Sequence, residues 1–196
     1  MKFDFSSGST PIDDEVARGL IPSWISIQSE LNAVEQVNIL EARNLPRWQA
    51  LTSDKLLDDL MIRNLHRDMY GDVWRWAGKY RSRDLNIGIA FEQVATRVKI
   101  LADDTREWIT GSSGMSVDEI AFRFHHKLVF IHPFFNGNGR HAREAADLLL
   151  KSLGAHPFTW GSFVLETDSP FRNRYILALK SADNGDYSLL SQFVRS

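Results

Sequence analysis

At 196 residues, 43% of them hydrophobic, the chain is long enough to bury a core of its own, and one domain with an N-terminal extension is the expected organisation. A formal net charge of −2 gives no bulk electrostatic case for binding nucleic acid or an anionic membrane, and the absence of cysteine excludes disulfides and thiolate metal sites. The N-terminus lacks a continuous apolar segment and nowhere do about eighteen apolar residues run together, so a soluble, cytoplasmic protein is expected.

Residues 1–28, rich in Ser, Gly, Pro and Asp, read as an arm draped on a helical domain spanning 29–196, with Ile21, Pro22 and Trp24 tucked onto the core. Leu31, Val34, Val37, Leu40 and Leu45 predict the inward face of a helix over 29–49 that Pro46 ends or kinks. A second helix over 53–70 starts at Ser53, carries Leu56, Leu60, Leu65 and Met69 in its apolar stripe, and stops at Gly71. Trp74 and Trp76 read as packing aromatics. From 79 to 91 the helical period vanishes, and YRSRDLNIGIAF has the composition of a short irregular hairpin or an exposed loop. A helix over 92–110 follows, with Val94, Val98, Leu101 and Trp108 inward, and then a glycine-flanked turn at 111–114.

The helix over 116–131 begins with a capping box, Ser116 and Glu119, and repeats Val117, Ile120, Ala121, Phe124, Leu128 and Ile131 at helical spacing until Pro133 stops it. Another helix over 139–153 presents Ala142, Ala145, Ala146, Leu149 and Leu153 on one face and ends at Gly154. Beyond a loop anchored by Trp160, Tyr175, Ile176 and Leu179 predict a helix over 169–184, and a last short helix spans 187–194. The fold class is all-α with one small hairpin.

Between the two central helices lies IHPFFNGNGRHAR, residues 131–143. Asn136, Gly137, Asn138 and Gly139 tolerate left-handed backbone angles and can turn successive N–H groups inward as an anion nest, to which the following helix adds its positive dipole end. Arg140 and Arg143 share one face of the first helical turn, where they can fork onto polyphosphate oxygens or pair with Glu144 and Asp147. His132, beside the nest, is placed to take a proton from an incoming hydroxyl. A P-loop is excluded because Arg140 and His141 stand where Lys and Ser or Thr are needed, and a dinucleotide fingerprint because a helix precedes the glycines. His125, His126, His132 and His141 lack the HExxH spacing of catalytic zinc, and the adjacent pair read as satisfied or exposed histidines.

His132, Pro133, Phe134, Gly137, Asn138, Gly139, Arg140 and Arg143 match HPFx(D/E)GNGRxxR, and the chain thereby resembles the Fic/Doc family; it departs at Asn136, where the family usually has a carboxylate. Through LHRDMYGDVWRWAGKYR and ELNAVEQVNILEA the chain is similar, over nearly its whole length, to the Fic proteins called mobile mystery protein B, encoded on bacterial mobile elements. The resemblance implies the Fic fold, a helical bundle whose small β-hairpin flap at about 79–91 aligns a target protein by main-chain pairing, with Arg81, Arg83 and Asn86 toward the cleft.

It also implies transfer of AMP from ATP to a Ser, Thr or Tyr hydroxyl of that target. His132 then acts as general base, the backbone of Gly137, Asn138 and Gly139 holds phosphate charge, Arg140 and Arg143 take the β and γ groups, and Phe134 anchors the loop. Mg²⁺ is expected with the nucleotide, held weakly at Asn136. A Doc-like kinase, the toxin of a toxin–antitoxin module, ranks second because that group has lysine where Gly139 is retained. A non-catalytic nucleotide-binding module is the third reading. For regulation, Ser26 to Glu30 meets the first part of the family's inhibitory pattern (S/T)xxxE(G/N), and Leu31 departs from it. Glu30 either reaches Arg143 or caps its own helix with Ser29, in which case a separate antitoxin partner is the expected control.

Overall fold

The computed structural model describes residues 12–111, 114–162 and 170–196; the first eleven residues of the arm, the middle of the turn at 111–114 and Ser169 lie outside the described residues. The described residues form helices α1 (Asp14–Ala17), α2 (Gln28–Arg43), α3 (Pro46–Gln49), α4 (Ser53–Leu56), α5 (Asp59–Tyr70), α6 (Val94–Thr110), α7 (Val117–Ile131), α8 (Asn138–Ser152), α9 (Pro170–Asp183) and α10 (Ser188–Val194). Short 3-10 turns occupy Phe91–Gln93 and Trp160–Ser162. At the centre α8 packs on α7 and also meets α4 and α5, while α2 lies on α5 and α6 on α7. Phe124, Leu128, Ala142, Ala145 and Leu149 join the larger core; Ala121, Phe122, Ala146 and Leu150, on other faces of α7 and α8, pack with α9 and α10. No helix among the described residues is long and apolar enough to cross a membrane.

Several expectations drawn from apolar spacing are corrected by polar contacts. Of the two outcomes expected at Pro46 the first holds: α2 stops at Arg43, and Pro46 opens α3 at its first turn, where a missing N–H costs nothing. In α2, Val37 and Leu40 are 55% and 47% exposed, and the buried face is Leu31, Glu35, Asn38, Ile39 and Ala42. Two polar side chains set that phase. Glu35 accepts from Trp74 Nε1 at 2.6 Å and from Arg140 Nη2 at 2.6 Å. Asn38 donates to the Asp68 carbonyl at 3.2 Å and accepts from the Asp72 amide at 3.2 Å. Leaving these groups unmade in the interior would cost more than exposing two aliphatic side chains.

The helix expected over 53–70 is broken, because the Asp58 carboxylate caps α5 by accepting from Leu60 N at 2.8 Å. Leu60 is thereby exposed, and Ile62 is the buried residue. The described part of the arm lies on the domain by Ile12, Val16 and Ile25, whereas Ile21 and Trp24, expected inside, face solvent. Backbone bonds from Ile21 N to Val73 O at 2.9 Å and from Arg75 N to Gly19 O at 2.8 Å dock this stretch and turn those side chains outward.

The hairpin flap is not formed. Among the described residues there is no strand, only an isolated bridge between Leu20 and Trp74, and residues 79–90 are irregular. The carbonyls of Arg83 and Ile89, which a two-stranded ladder would need, accept instead from the buried guanidinium of Arg81.

The core also stores an acid sensitivity. Burial pushes His125 down to about 3 and His141 to about 4, and burial with the nearby Arg81 charge pushes His132 to about 4. Below the ordinary histidine value of 6.5 the unfolded chain binds protons that the folded chain refuses, so stability falls as pH falls toward those values. Burial raises Asp147 to about 6, which acts in the opposite sense between its ordinary value and about 6 and offsets one histidine. His66, also buried and held below the ordinary value, adds to the histidine side, so the expected net effect is a loss of stability as pH falls from 6 to 4. Urea midpoints across that interval should fall steeply; flat midpoints would contradict the burial of these rings.

Candidate active site

The end of α7 and the start of α8 meet at residues 132–137. His132 ends α7 in the left-handed region at φ 56 and ψ 60, an uncommon place for a residue with a Cβ, and is buried, with 7% exposure remaining. Its Nδ1 lies 3.2 Å from the Val129 carbonyl, which can only accept, so Nδ1 carries the proton and Nε2 is the basic nitrogen. With its pKa pushed down to about 4, the ring is neutral at physiological pH. A neutral imidazole of fixed tautomer is what a proton acceptor requires.

The loop is closed by Asn138, which is buried. Its Oδ1 accepts from Phe134 N at 2.9 Å and its Nδ2 donates to Phe134 O at 2.8 Å, so one side-chain amide satisfies both backbone groups of the residue four before it. Phe134 is fully buried and stacks on His66 with ring centroids 3.7 Å apart. His66 Nδ1 accepts from Gly78 N at 3.1 Å, so the proton is on Nε2, which donates to Asn136 O at 3.0 Å. Burial and the neighbouring charges keep this ring neutral. His66 lies in an HRD context unlike any metal motif, and sequence reasoning missed it; its signal is only that a buried position of α5 carries a histidine.

Gly137 and Gly139 stand in different surroundings. Gly137 has φ 76, and a Cβ there would meet Tyr70 Cζ at 2.5 Å. Gly139 has no such conflict, since a Cβ at that position would find only Tyr175 Oη at 3.7 Å and Arg143 Nη1 at 3.8 Å. Gly139 stands on the first turn of a 15-residue helix whose N-terminus has no side-chain cap, and a Cβ there would make only ordinary contacts. An anion approaching that backbone meets amide donors and the positive dipole end.

Arg140 and Arg143 do not pair with Glu144 and Asp147. Glu144 bonds Arg43 at 2.6 Å, and Asp147 accepts from Phe158 N and Trp160 Nε1. Arg140 pairs at 2.6 Å with the buried Glu35, while Arg143 sits over the Tyr175 ring with its Cζ 5.5 Å from the centroid. The Tyr175 hydroxyl is 3.0 Å from His125 Nε2, so α7 and α9 together support the second arginine. Glu30 does not reach Arg143. Its carboxylate caps its own helix, accepting from Ser26 N at 2.8 Å and Ile27 N at 3.3 Å, bonds that favour the charged form and hold its pKa down. The carboxylate that α2 does carry onto the motif is Glu35, further along the helix and on Arg140.

Residues 56–150 match the Fic/DOC family. This segment is a Fic/DOC family domain. The chain is 32% identical over 146 residues to protein adenylyltransferase fic-1 of Caenorhabditis briggsae, covering 71% of this chain and 26% of that protein. It is 29% identical over 136 residues to protein adenylyltransferase Fic of Drosophila ananassae, covering 68% of this chain and 26% of that protein. The chain thus spans about a quarter of the length of these relatives. Its fold is similar to BepC of Bartonella tribocorum, a VirB-translocated effector solved with bound AMPPNP, at a TM-score of 0.68 and 16% identity over 93% of this chain and 97% of that one. It is likewise similar to Fic-1 of Caenorhabditis elegans, at a TM-score of 0.65 and 24% identity over 90% of this chain and 50% of that one.

The Fic signature explains the spacing of the site, and Asn136 is where the two part. The Asn136 Oδ1 accepts from Gly137 N at 2.6 Å, and among the described residues no group of three or more His, Asp or Glu gathers to hold a metal ion. At this position the residues present offer Mg²⁺ no charged ligand: the Asn136 oxygen is neutral and turned onto its own loop. Restoring the charge should change that. A unit charge about 4 Å from another is worth about 4 kcal/mol at an effective dielectric of 20, before hydration takes back much of it. Asn136→Asp is expected to lower the Mg²⁺ concentration for half-maximal ATP binding by at least roughly threefold, read by calorimetric titration at a series of Mg²⁺ concentrations. An unchanged requirement would mean that this position does not face the cation.

Proposed function

We propose that the protein is a protein adenylyltransferase, transferring AMP from ATP to a hydroxyl side chain of a target protein. The observation that carries this reading is the pairing, within one loop, of a neutral His132 with a basic Nε2 and an uncapped helix N-terminus bearing Arg140 and Arg143. The relatives named protein adenylyltransferase support it, as does the AMPPNP bound in the BepC structure. Retention of Gly139, where the Doc-like group has lysine, favours adenylyl transfer over the kinase reading.

In this mechanism the target hydroxyl gives its proton to His132 Nε2 as its oxygen attacks the α-phosphorus. The bond from that phosphorus to the bridging oxygen breaks, and pyrophosphate departs with the electron pair. The amides at the start of α8 hold the developing charge, and Arg140 and Arg143 hold the β and γ groups. Positioning and electrostatics supply the rate, and any Mg²⁺ belongs to the nucleotide as its phosphate complex. The target lies along residues 79–91, which present an irregular segment in place of a hairpin. We further infer a single catalytic domain, 29–196, behind an arm of 1–28, working in the cytoplasm. The resemblance to mobile mystery protein B supports a bacterial mobile-element origin and control by an antitoxin partner in place of Glu30.

Incubation with ATP labelled at the α- or the γ-phosphate separates the readings. Label from the α position should appear on protein; label from γ alone would make the chain a kinase, and neither would leave a binding module. His132→Ala should remove α-label transfer by two orders of magnitude or more while changing stability by no more than about 1–2 kcal/mol. Comparable transfer by the variant would refute His132 as the base.

A further inference from the structure

The side chain of Arg81 is fully buried, yet it does not face a substrate cleft. Its Nε donates to His132 O at 2.7 Å and its Nη2 to Ile131 O at 3.4 Å, so it caps the last carbonyls of α7, where a helix end leaves acceptors unmade and favours positive charge. The same guanidinium donates from Nη1 to Arg83 O at 3.0 Å and from Nη2 to Ile89 O, one on each arm of the loop beside the site. Its backbone amide donates to Pro133 O at 2.9 Å. Gly88, in the same loop at φ 100, lies so close that a Cβ would stand 2.6 Å from His132 Cβ and 3.2 Å from Arg81 Nη2. The loop therefore rests directly on the histidine, with Arg81 filling the space between them.

We propose that Arg81 is a positioning residue for the transfer reaction: one guanidinium bonds the carbonyls of both the α7 end and the 83–89 loop, and so fixes the proton-accepting imidazole relative to the segment along which the target hydroxyl lies. This rests on the adenylyltransferase reading. A lysine cannot replace it, since one ammonium has three donors and no planar fork to span four carbonyls in two segments. The left-handed backbone of His132 is otherwise unfavourable and persists because the surroundings over-determine it. The Arg81 charge has a second effect, disfavouring protonation of the ring. Burial and the Val129 carbonyl are the other influences on that ring, while Asp84, 3.5 Å from Arg81, and Glu92 act on the guanidinium.

The test compares Arg81→Lys, Arg81→Gln and Gly88→Ala with the unchanged protein. For α-label transfer, both Arg81 variants are expected to lose on the order of 100-fold in kcat, as a misplacement of about 1 Å does, with KM for ATP changed by less than about threefold. The charge separates the two: the acid limb of the kcat profile should move up by about one pH unit in Arg81→Gln and stay in place in Arg81→Lys. Gly88→Ala, whose Cβ would press on both His132 Cβ and the Arg81 guanidinium, should show the same loss in kcat, and it reads the loop–histidine contact that Arg81 bridges if the Arg81 variants do not fold. An imidazole titration by nitrogen NMR reads the His132 tautomer and pKa in the absence of any turnover. It should report Nδ1–H in the unchanged protein and a raised pKa in Arg81→Gln, or a mixed tautomer in Gly88→Ala. If the unchanged protein transfers no α-label but these NMR changes occur, the adenylyltransferase reading fails and the positioning of His132 by Arg81 stands. Transfer within about twofold of the unchanged protein in folded Arg81 variants, or in Gly88→Ala where they do not fold, with an unmoved His132 titration, would overturn it.

Discussion

Everything at the site depends on how the carbonyls and amides of one short turn are satisfied away from water. α7 ends and α8 begins within this turn, so unmade acceptors of one helix and unmade donors of the other come together in the interior. Asn138 takes the amide and carbonyl of Phe134, His66 takes the carbonyl of Asn136, and Arg81 takes those of Ile131 and His132. What remains is the donor end of α8, which no side chain caps. These acceptors have protein partners, and the first amides of α8 have no side-chain cap.

The same buried contacts determine protonation. His66, His125, His132 and His141 all sit in surroundings that disfavour the imidazolium, and each ring has a nitrogen paired with a carbonyl or a hydroxyl. Three of them serve packing. At His132 the Val129 carbonyl holds the proton on Nδ1 and leaves Nε2 as the basic nitrogen, the state that the proposed reaction requires. A ring kept neutral by burial remains ready to accept a proton at ordinary pH, although a low pKa also limits how strongly it can hold one.

Long-range pairing ties the remote helices to this turn. Glu35 of α2 joins Trp74 and Arg140, Arg43 of α2 joins Glu144 of α8, and Tyr175 of α9 links Arg143 to His125. The Glu35–Arg140 pair is largely buried and contributes little net stability, because desolvation offsets its attraction, but removing a single partner is costly. The contacts of Glu35 and Tyr175 hold two arginines one turn apart on α8 in defined directions. The loop at 79–90 is handled similarly: its carbonyls turn toward one buried guanidinium, so it lies against the histidine without forming a ladder.

The sequence by itself determined the helical class, the two central helices and the turn between them that gathers His132, Phe134, Gly137, Asn138, Arg140 and Arg143, since these sit close together in the chain and depend on local spacing. Local signals also located the cap at Ser116 and the stop at Gly71. Only the tertiary structure decided which face of α2 is buried, that Glu35 meets Arg140 and that residues 79–90 form no hairpin. Many of these outcomes turn on polar partners 12 to 105 positions apart in the chain, such as His66 with Gly78 and Glu35 with Arg140. Apolar periodicity reports what an element would bury if its partner were featureless; a buried carboxylate, amide or guanidinium must find its own counterpart, and only the folded chain supplies one.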